Sequence, residues 1–357
     1  MSEPTVVSRP PSLAARLAQE PLLLLALALL LVVATLLSLA IGAVPIRVDA
    51  ILQILWDLIG GSTADTREAT VLLGVRLPRV VLAAVVGAGL GAAGAALQGL
   101  FRNPLADPGL IGVSGGAAVS AAATIVYGAG LTAMLPPWLG PWLLPINAFL
   151  GALIVTAVVY GIAWRQEGMD VATLLLAGIA LNAIAMAGLG LLVFLSDDIQ
   201  LRSLNLWLLG SLAYAPWQQL LPVIPLVLLA MLGLFAQARP LNALLLGESE
   251  AFHVGFPIER VKRRLIVLSA LAAGAAVALT GMIGFIGLMV PHLVRRVLGP
   301  DHRWLLPGSA LLGATLLLLA DLVARTIVLP AELPVGVVTA MIGGPFFLWL
   351  LFKGRRL

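Results

Sequence analysis

Residues 76–122 read RLPRVVLAAVVGAGLGAAGAALQGLFRNPLADPGLIGVSGGAAVSAA. Arg76 and Arg79 bracket Leu77-Pro78, and small and apolar residues follow for about the twenty positions a membrane helix needs. A polar break from Arg102-Asn103-Pro104 to Asp107-Pro108 comes next, then a second small-residue run. The segment predicts a membrane helix that breaks and returns. Ala84, Ala88, Gly91 and Ala95 recur at three- and four-residue spacing, with Gly87 four positions before Gly91. Small residues on one face let helix backbones approach closely. The pattern is common in membrane helices and by itself predicts a packing seam.

The whole chain fits that reading. Its 357 residues are 61% hydrophobic and 11% charged, with mean hydropathy +1.08, whereas soluble domains are about 45–50% apolar and about 25% charged. Residues 1–357 read as one polytopic, all-α membrane domain in contact with lipid. Without cysteine, disulfides and thiolate metal sites are excluded. His253, His292 and His302 stand well apart, which argues against a metal cluster. The pI of about 10.1 fits basic cytoplasmic loops better than a nucleic-acid partner. The apolar run Pro21–Ala43, preceded by Arg9 and Arg16, exceeds a secretory signal core of about 7–15 residues, and reads as an uncleaved first helix.

Spans are expected at 21–43, 77–100, 110–128, 141–164, 171–195, 217–237, 264–282, 284–298, 304–327 and 333–352. These ten crossings put both termini on one side. With that side cytoplasmic, only Arg47, Arg67, Arg76, Arg79, Arg202 and Arg325 of the 21 basic residues fall outside, while acidic residues divide almost evenly. This is the positive-inside bias. The uncharged stretch between Arg264 and Arg295 is too long for one helix and too short for two of about 20 residues. Two crossings fit there only if GMIGFIGLMVP (281–291) is irregular backbone within the membrane, shielded by protein or a water-filled cavity. Together with the break at 103–109, it suggests two inverted-topology five-helix halves. Outside, 44–75 reads as a loop with a short helix near Ala50–Ile59, and 203–217 as an interfacial helix anchored by Trp207 and Trp217. Inside, 239–264 reads as two short helices, broken at Gly247 and at Gly255-Phe256-Pro257.

A few polar residues stand out. Gln98 and Asn182, within spans, either hydrogen-bond a neighbouring helix or line a pore. Asp321 is the acid deepest in a span, with Arg325 four positions on as its expected partner; an intramembrane acid is alternatively an ion relay. Arg76 and Arg79, against the charge bias, are either headgroup anchors or a docking point for carboxylates of an extracytoplasmic partner.

Nearly the whole chain resembles the permease subunits of type II ABC importers for iron chelates, haem and cobalamin. The resemblance is carried by RLPR (76–79), NPLADPGLIGVSGGA (103–117), LLLAGIALN (174–182), W-x-x-G-S (207–211), RPLNALLLGE (239–248), GFIGLMVPHLVR (284–295), DHRWLLPGSALLGA (301–314), LADLVAR (319–325) and ELPVGVVTAMIGGPFFLWLL (332–351). It implies ten membrane helices per subunit, a homodimer around a central path, two ATPase subunits on the cytoplasmic side and one periplasmic substrate-binding protein. Arg76, Arg79 and Arg325 match arginines that receive the binding protein's glutamates. The loop 239–263 matches the ATPase-coupling helices, with Gly247, Glu248, Ala251 and Gly255 near that contact. Asn103 and Leu105 match a cytoplasmic gate, and 171–195 the path-lining helix, with Asn182 and Met186 as path-lining candidates and Val171 and Ala172 as a further gate layer. At these last two positions the cobalamin branch carries small hydroxylated residues; their apolar character here favours an iron chelate or haem.

The expected function is an inner-membrane permease that moves a ferric siderophore or haem from periplasm to cytoplasm by alternating access. A cobalamin importer of the same family is the alternative. ATP and magnesium belong to the partner ATPase, because the chain has no GxxxxGK[ST] loop and needs no cofactor of its own. An ion-coupled secondary transporter, the rival of another class, has only Asp321 to offer as a relay.

Overall fold

The computed structural model describes residues 13–61, 66–165, 168–214 and 216–354. Arg9, Arg355 and Arg356, on which the expectation of cytoplasmic termini partly rests, lie outside the described residues.

Small residues decide where the core sits. Helix α4 (Leu77–Phe101) is buried along most of its length, because its glycines and alanines let four neighbours close around it. These are α9 (Trp217–Ala236), α12 (Ile258–Thr280), α13 (Ile286–Leu298) and α14 (His302–Thr326). A methyl group on Gly87 would lie 2.3 Å from the Gly313 carbonyl, and one on Gly94 would lie 1.8 Å from that of Gly287. Backbone therefore meets backbone along the seam. Ala84 and Ala88 are only half-buried, so the tightest face runs through Gly87, Gly91 and Gly94 and not through the alanines.

Around this post stand α1 (Leu13–Ala40) against α14, and a second group of α5 (Val113–Thr132), α6 (Gly140–Ala163) and α7 (Val171–Phe194), which joins the post mainly through α12. Helix α15 (Val335–Gly354) packs on α13 and α14. Among the described residues seven helices are long and apolar enough to cross a membrane, and Val113–Gly128 and Val335–Leu350 are shorter apolar helices.

One end of the bundle carries α2 (Val48–Ile59), α3 (Arg67–Val71) and α8 (Asp198–Leu208). The opposite end carries the break after α4, the two-stranded hairpin β1 (Trp164–Arg165) and β2 (Gly168–Met169), and the short helices α10 (Ala238–Leu246) and α11 (Glu248–His253). The expected helix near 50–59 and the two short helices expected in the loop 239–264 are both present.

Three expectations need correction. The helix expected to begin at Leu77 is already under way at Arg67, passing through a π-helical turn at Leu72–Arg76. Pro78 has no N–H to give the preceding turn, and a π-turn is a common way to absorb that loss. The interfacial helix is Asp198–Leu208 instead of 203–217, started by a capping box between Asp197 and Gln200; the acids that read as loop are its cap. The irregular segment after α12 is only 281–285, not 281–291. It is bounded by two positive-φ residues, Gly281 (φ +70°) and the left-handed Phe285 (φ +69°), which stop α12 and start α13 within five residues.

Candidate functional site

At the α2/α8 end the structure gathers Arg76, Arg79 and Arg325 around a cavity of about 180 Å³, also lined by Val75, Leu329 and Glu332. The residues come from separate segments: Arg76 ends the π-turn, Arg79 lies one turn into α4, and Arg325 closes α14. All three are buried, although outer arginines free to meet a partner were expected.

Their partners explain the burial. Arg76 Nη1 donates to the carbonyls of Leu39 at 2.6 Å and Ala40 at 3.0 Å, and Nη2 to that of Val44. Arg325 Nη2 donates to the Ser38 carbonyl. Arg79 Nε lies 3.0 Å from both oxygens of Asp321, Nη2 lies 2.8 Å from Oδ1, and Nη1 lies 2.8 Å from Glu332 Oε2. The expected i,i+4 partner of Asp321 is secondary: Arg325 Nε approaches no closer than 3.7 Å and makes no hydrogen bond. Geometry explains the preference, since a planar guanidinium reaching across from another helix can grip both carboxylate oxygens. Three guanidinium groups face two carboxylates here, so the cavity keeps a net positive charge.

At the other end, the break after α4 is held by its own side chains. Asn103 Oδ1 accepts from Leu105 N at 2.9 Å, and Asp107 Oδ1 accepts from Gly109 N at 2.8 Å. Arg102 takes a left-handed conformation to end α4, and Leu105 stays exposed. Asn182 Nδ2 donates to the Gly109 carbonyl at 2.8 Å, which ties α7 to the break. Gln98 likewise bonds neighbours, donating to the Leu288 carbonyl at 3.1 Å and accepting from Arg295 at 3.1 Å. Asp170 caps α7 through the amides of Ala172 and Thr173. Ala172 is exposed and Val171 half-buried. Met186 also faces outward, with Leu176, Ile179 and Ile184, on an apolar side of α7 that no helix among the described residues covers.

On α10 and α11, Gly247 and Gly255 sit at the breaks and Glu248 is exposed, but Ala251 is fully buried. It anchors α11 and offers no surface to a partner. The exposed large apolar residues on α10, α11 and the turn after them are Leu245, Leu246, Phe252 and Val254. Reading the sequence missed them, although four large apolar residues in a loop rich in charge were a usable signal. Asn242 ties α10 to the start of α14, donating to Asp301 Oδ1 at 2.6 Å and accepting from His302 N at 2.8 Å.

A bundle with apolar helices long enough to cross a membrane, a break after its most buried helix and a pair of short helices at one end has the architecture of a polytopic membrane protein. Residues 30–353 match the model of the FecCD transport family, and the chain belongs to that family. It is 48% identical over 339 residues to the "Hemin transport system permease protein HmuU" of Yersinia pestis, covering 95% of this chain and 97% of that protein. It is 41% identical over 333 residues to the "Vitamin B12 import system permease protein BtuC" of Salmonella paratyphi A, covering 93% and 95%. A solved structure described as an inward-facing metal-chelate type ABC transporter superimposes with a TM-score of 0.81 at 35% identity, covering 93% of this chain and 99% of that one. The chain is therefore a multi-pass inner-membrane subunit of an ABC transporter, and ATP hydrolysis lies in a partner.

Proposed function

We propose that this permease imports an iron complex, haem or a ferric siderophore, from periplasm to cytoplasm by alternating access. The observation that carries the reading is the 48% identity, along almost the full length of both chains, to a hemin permease. The working unit is a homodimer with ten crossings per subunit, both termini cytoplasmic, two ATPase subunits against α10 and α11, and a binding protein over the arginine cavity. The uncovered apolar side of α7 faces the second copy and the path between them. Nucleotide-driven movement of α10 and α11 shifts α7 and the breaks at 102–112 and 281–285 between two arrangements.

Cobalamin is the second reading, favoured by 41% identity to the Salmonella vitamin B12 permease; the apolar Val171 and Ala172 weigh against it. An ion-coupled transporter is disfavoured, because a proton relay has to change charge and Asp321 is clamped by Arg79.

Reconstitution in proteoliposomes with the cognate ATPase and binding protein tests the proposal. ATP-dependent uptake of haemin or a ferric siderophore, insensitive to uncouplers, is expected. Uptake of cyanocobalamin alone would shift the substrate to the second reading. Uptake driven by an ion gradient without ATPase subunits would overturn the mechanism.

A further inference from the structure

We infer that Lys262, clamped with Glu259, is a positioning residue that joins α11 to the first turn of α7; the inference rests on reading α11 as the ATPase contact and Val171–Ala172 as a gate. Lys262 lies early in α12 and is only 3% exposed. Lysine is almost never that buried unless paired. Near a helix N-terminus it gains nothing from the helix dipole, which favours acids there. Its position is explained by its acceptors. Nζ reaches Glu248 Oε2 of α11 at 2.6 Å, Glu259 Oε1 at 3.1 Å and the Met169 carbonyl at 3.1 Å. An ammonium has three donors, and all three are engaged.

The same pair holds the other backbone group of Met169, since Glu259 Oε2 accepts from Met169 N at 2.8 Å. The hairpin is shaped to admit that carboxylate. Gly168 has φ +113°, and a methyl group there would lie 2.6 Å from Glu259 Cδ. Beyond Met169 the chain passes directly to Asp170, which caps α7. From α11 to Val171 the connection thus runs through two ion pairs, two backbone hydrogen bonds and one cap. Movement of α11 is carried to the end of α7 through this joint.

The test uses the permease–ATPase complex in nanodiscs. The chain has no cysteine, so Ala172→Cys supplies a single thiol per subunit, whose maleimide alkylation rate is compared in ADP and in ATP with vanadate. With the joint intact the two rates should differ by about fivefold or more, the lower end of ordinary allosteric coupling. Lys262→Met should reduce the difference below about twofold while the ATPase subunits still co-purify, and Lys262→Arg should restore part of it. Gly168→Ala, outside the helices, should act like Lys262→Met by displacing Glu259 and serves if that variant fails to assemble. A full rate difference in Gly168→Ala or Lys262→Met overturns the joint and leaves the coupling reading standing. Rates indifferent to nucleotide with the joint intact remove the coupling reading, and the joint with it.

Discussion

Arg79 and Asp321, 242 positions apart, meet through three N–H to oxygen contacts of 2.8–3.0 Å in the buried end of the bundle. The pair joins α4 to α14 where the glycine seam ends. Removing one member of a buried pair typically costs about 3–5 kcal/mol, whereas replacing both by apolar groups is often neutral. Asp321→Asn should therefore lower stability in detergent by about 3 kcal/mol, and Arg79→Met with Asp321→Leu should recover most of it. Thermal unfolding of the two variants, side by side, checks this.

Glu332 occupies the remaining face of Arg79 with a side chain 42% exposed. If a binding-protein carboxylate docks at Arg79, it has to displace or share with Glu332. Glu332→Gln should tighten docking by up to about 1 kcal/mol, the ceiling for an exposed pair. Calorimetric titration of the binding protein would show it; unchanged or weaker docking removes Arg79 from the docking surface. Reversing Arg79 to glutamate is the poorer experiment, because it would bury two acids together.

The seam makes unequal demands on its glycines. Gly94→Ala forces α4 and α13 apart at a 1.8 Å clash with backbone, whereas a methyl on Gly161 in α6 meets nothing within 4 Å. Gly161→Ala should be neutral or stabilising by up to about 1 kcal/mol from helix propensity. Gly94→Ala should yield little folded protein. Monodispersity on size exclusion separates the two.

Asp301 gives a pH signature. Burial raises its pKa, but hydrogen bonds from Arg303 and Asn242 outweigh that and hold it at about 2, against 3.8 for a free side chain. A carboxyl with a depressed folded pKa stabilises fully above its unfolded value and loses the contribution as pH falls through its folded value. The difference in melting temperature between wild type and Asp301→Asn should be constant above about pH 5, shrink below about pH 4, be mostly lost by about pH 2 and vanish only below it. A difference independent of pH would mean that the aspartate acts only by its shape.

Most of the architecture was legible because membrane helices announce themselves by length and by charge on their flanks. Each break also carried its proline or glycine. Burial of the arginines was not legible. Sequence shows Arg79 beside a proline at a membrane edge, but Asp321 and Glu332 become its partners only once α14 packs on α4. Nearness along the chain favoured Arg325 for Asp321, and tertiary geometry chose otherwise. Lys262 looked like one more basic residue in RVKRR for the same reason. Its acceptors lie on a hairpin 93 positions earlier and on a short helix across a glycine break.

The enclosed α4 also bears on how the protein is made. Arg79 enters the membrane long before Asp321 exists, and 242 residues at about 5–20 residues per second is tens of seconds of synthesis. Through that interval the glycine groove has no α13 or α14 to fill it, and the arginine has no carboxylate. The middle of this protein is thus the last part to be finished, and a nascent chain halted before residue 302 lacks a complete core.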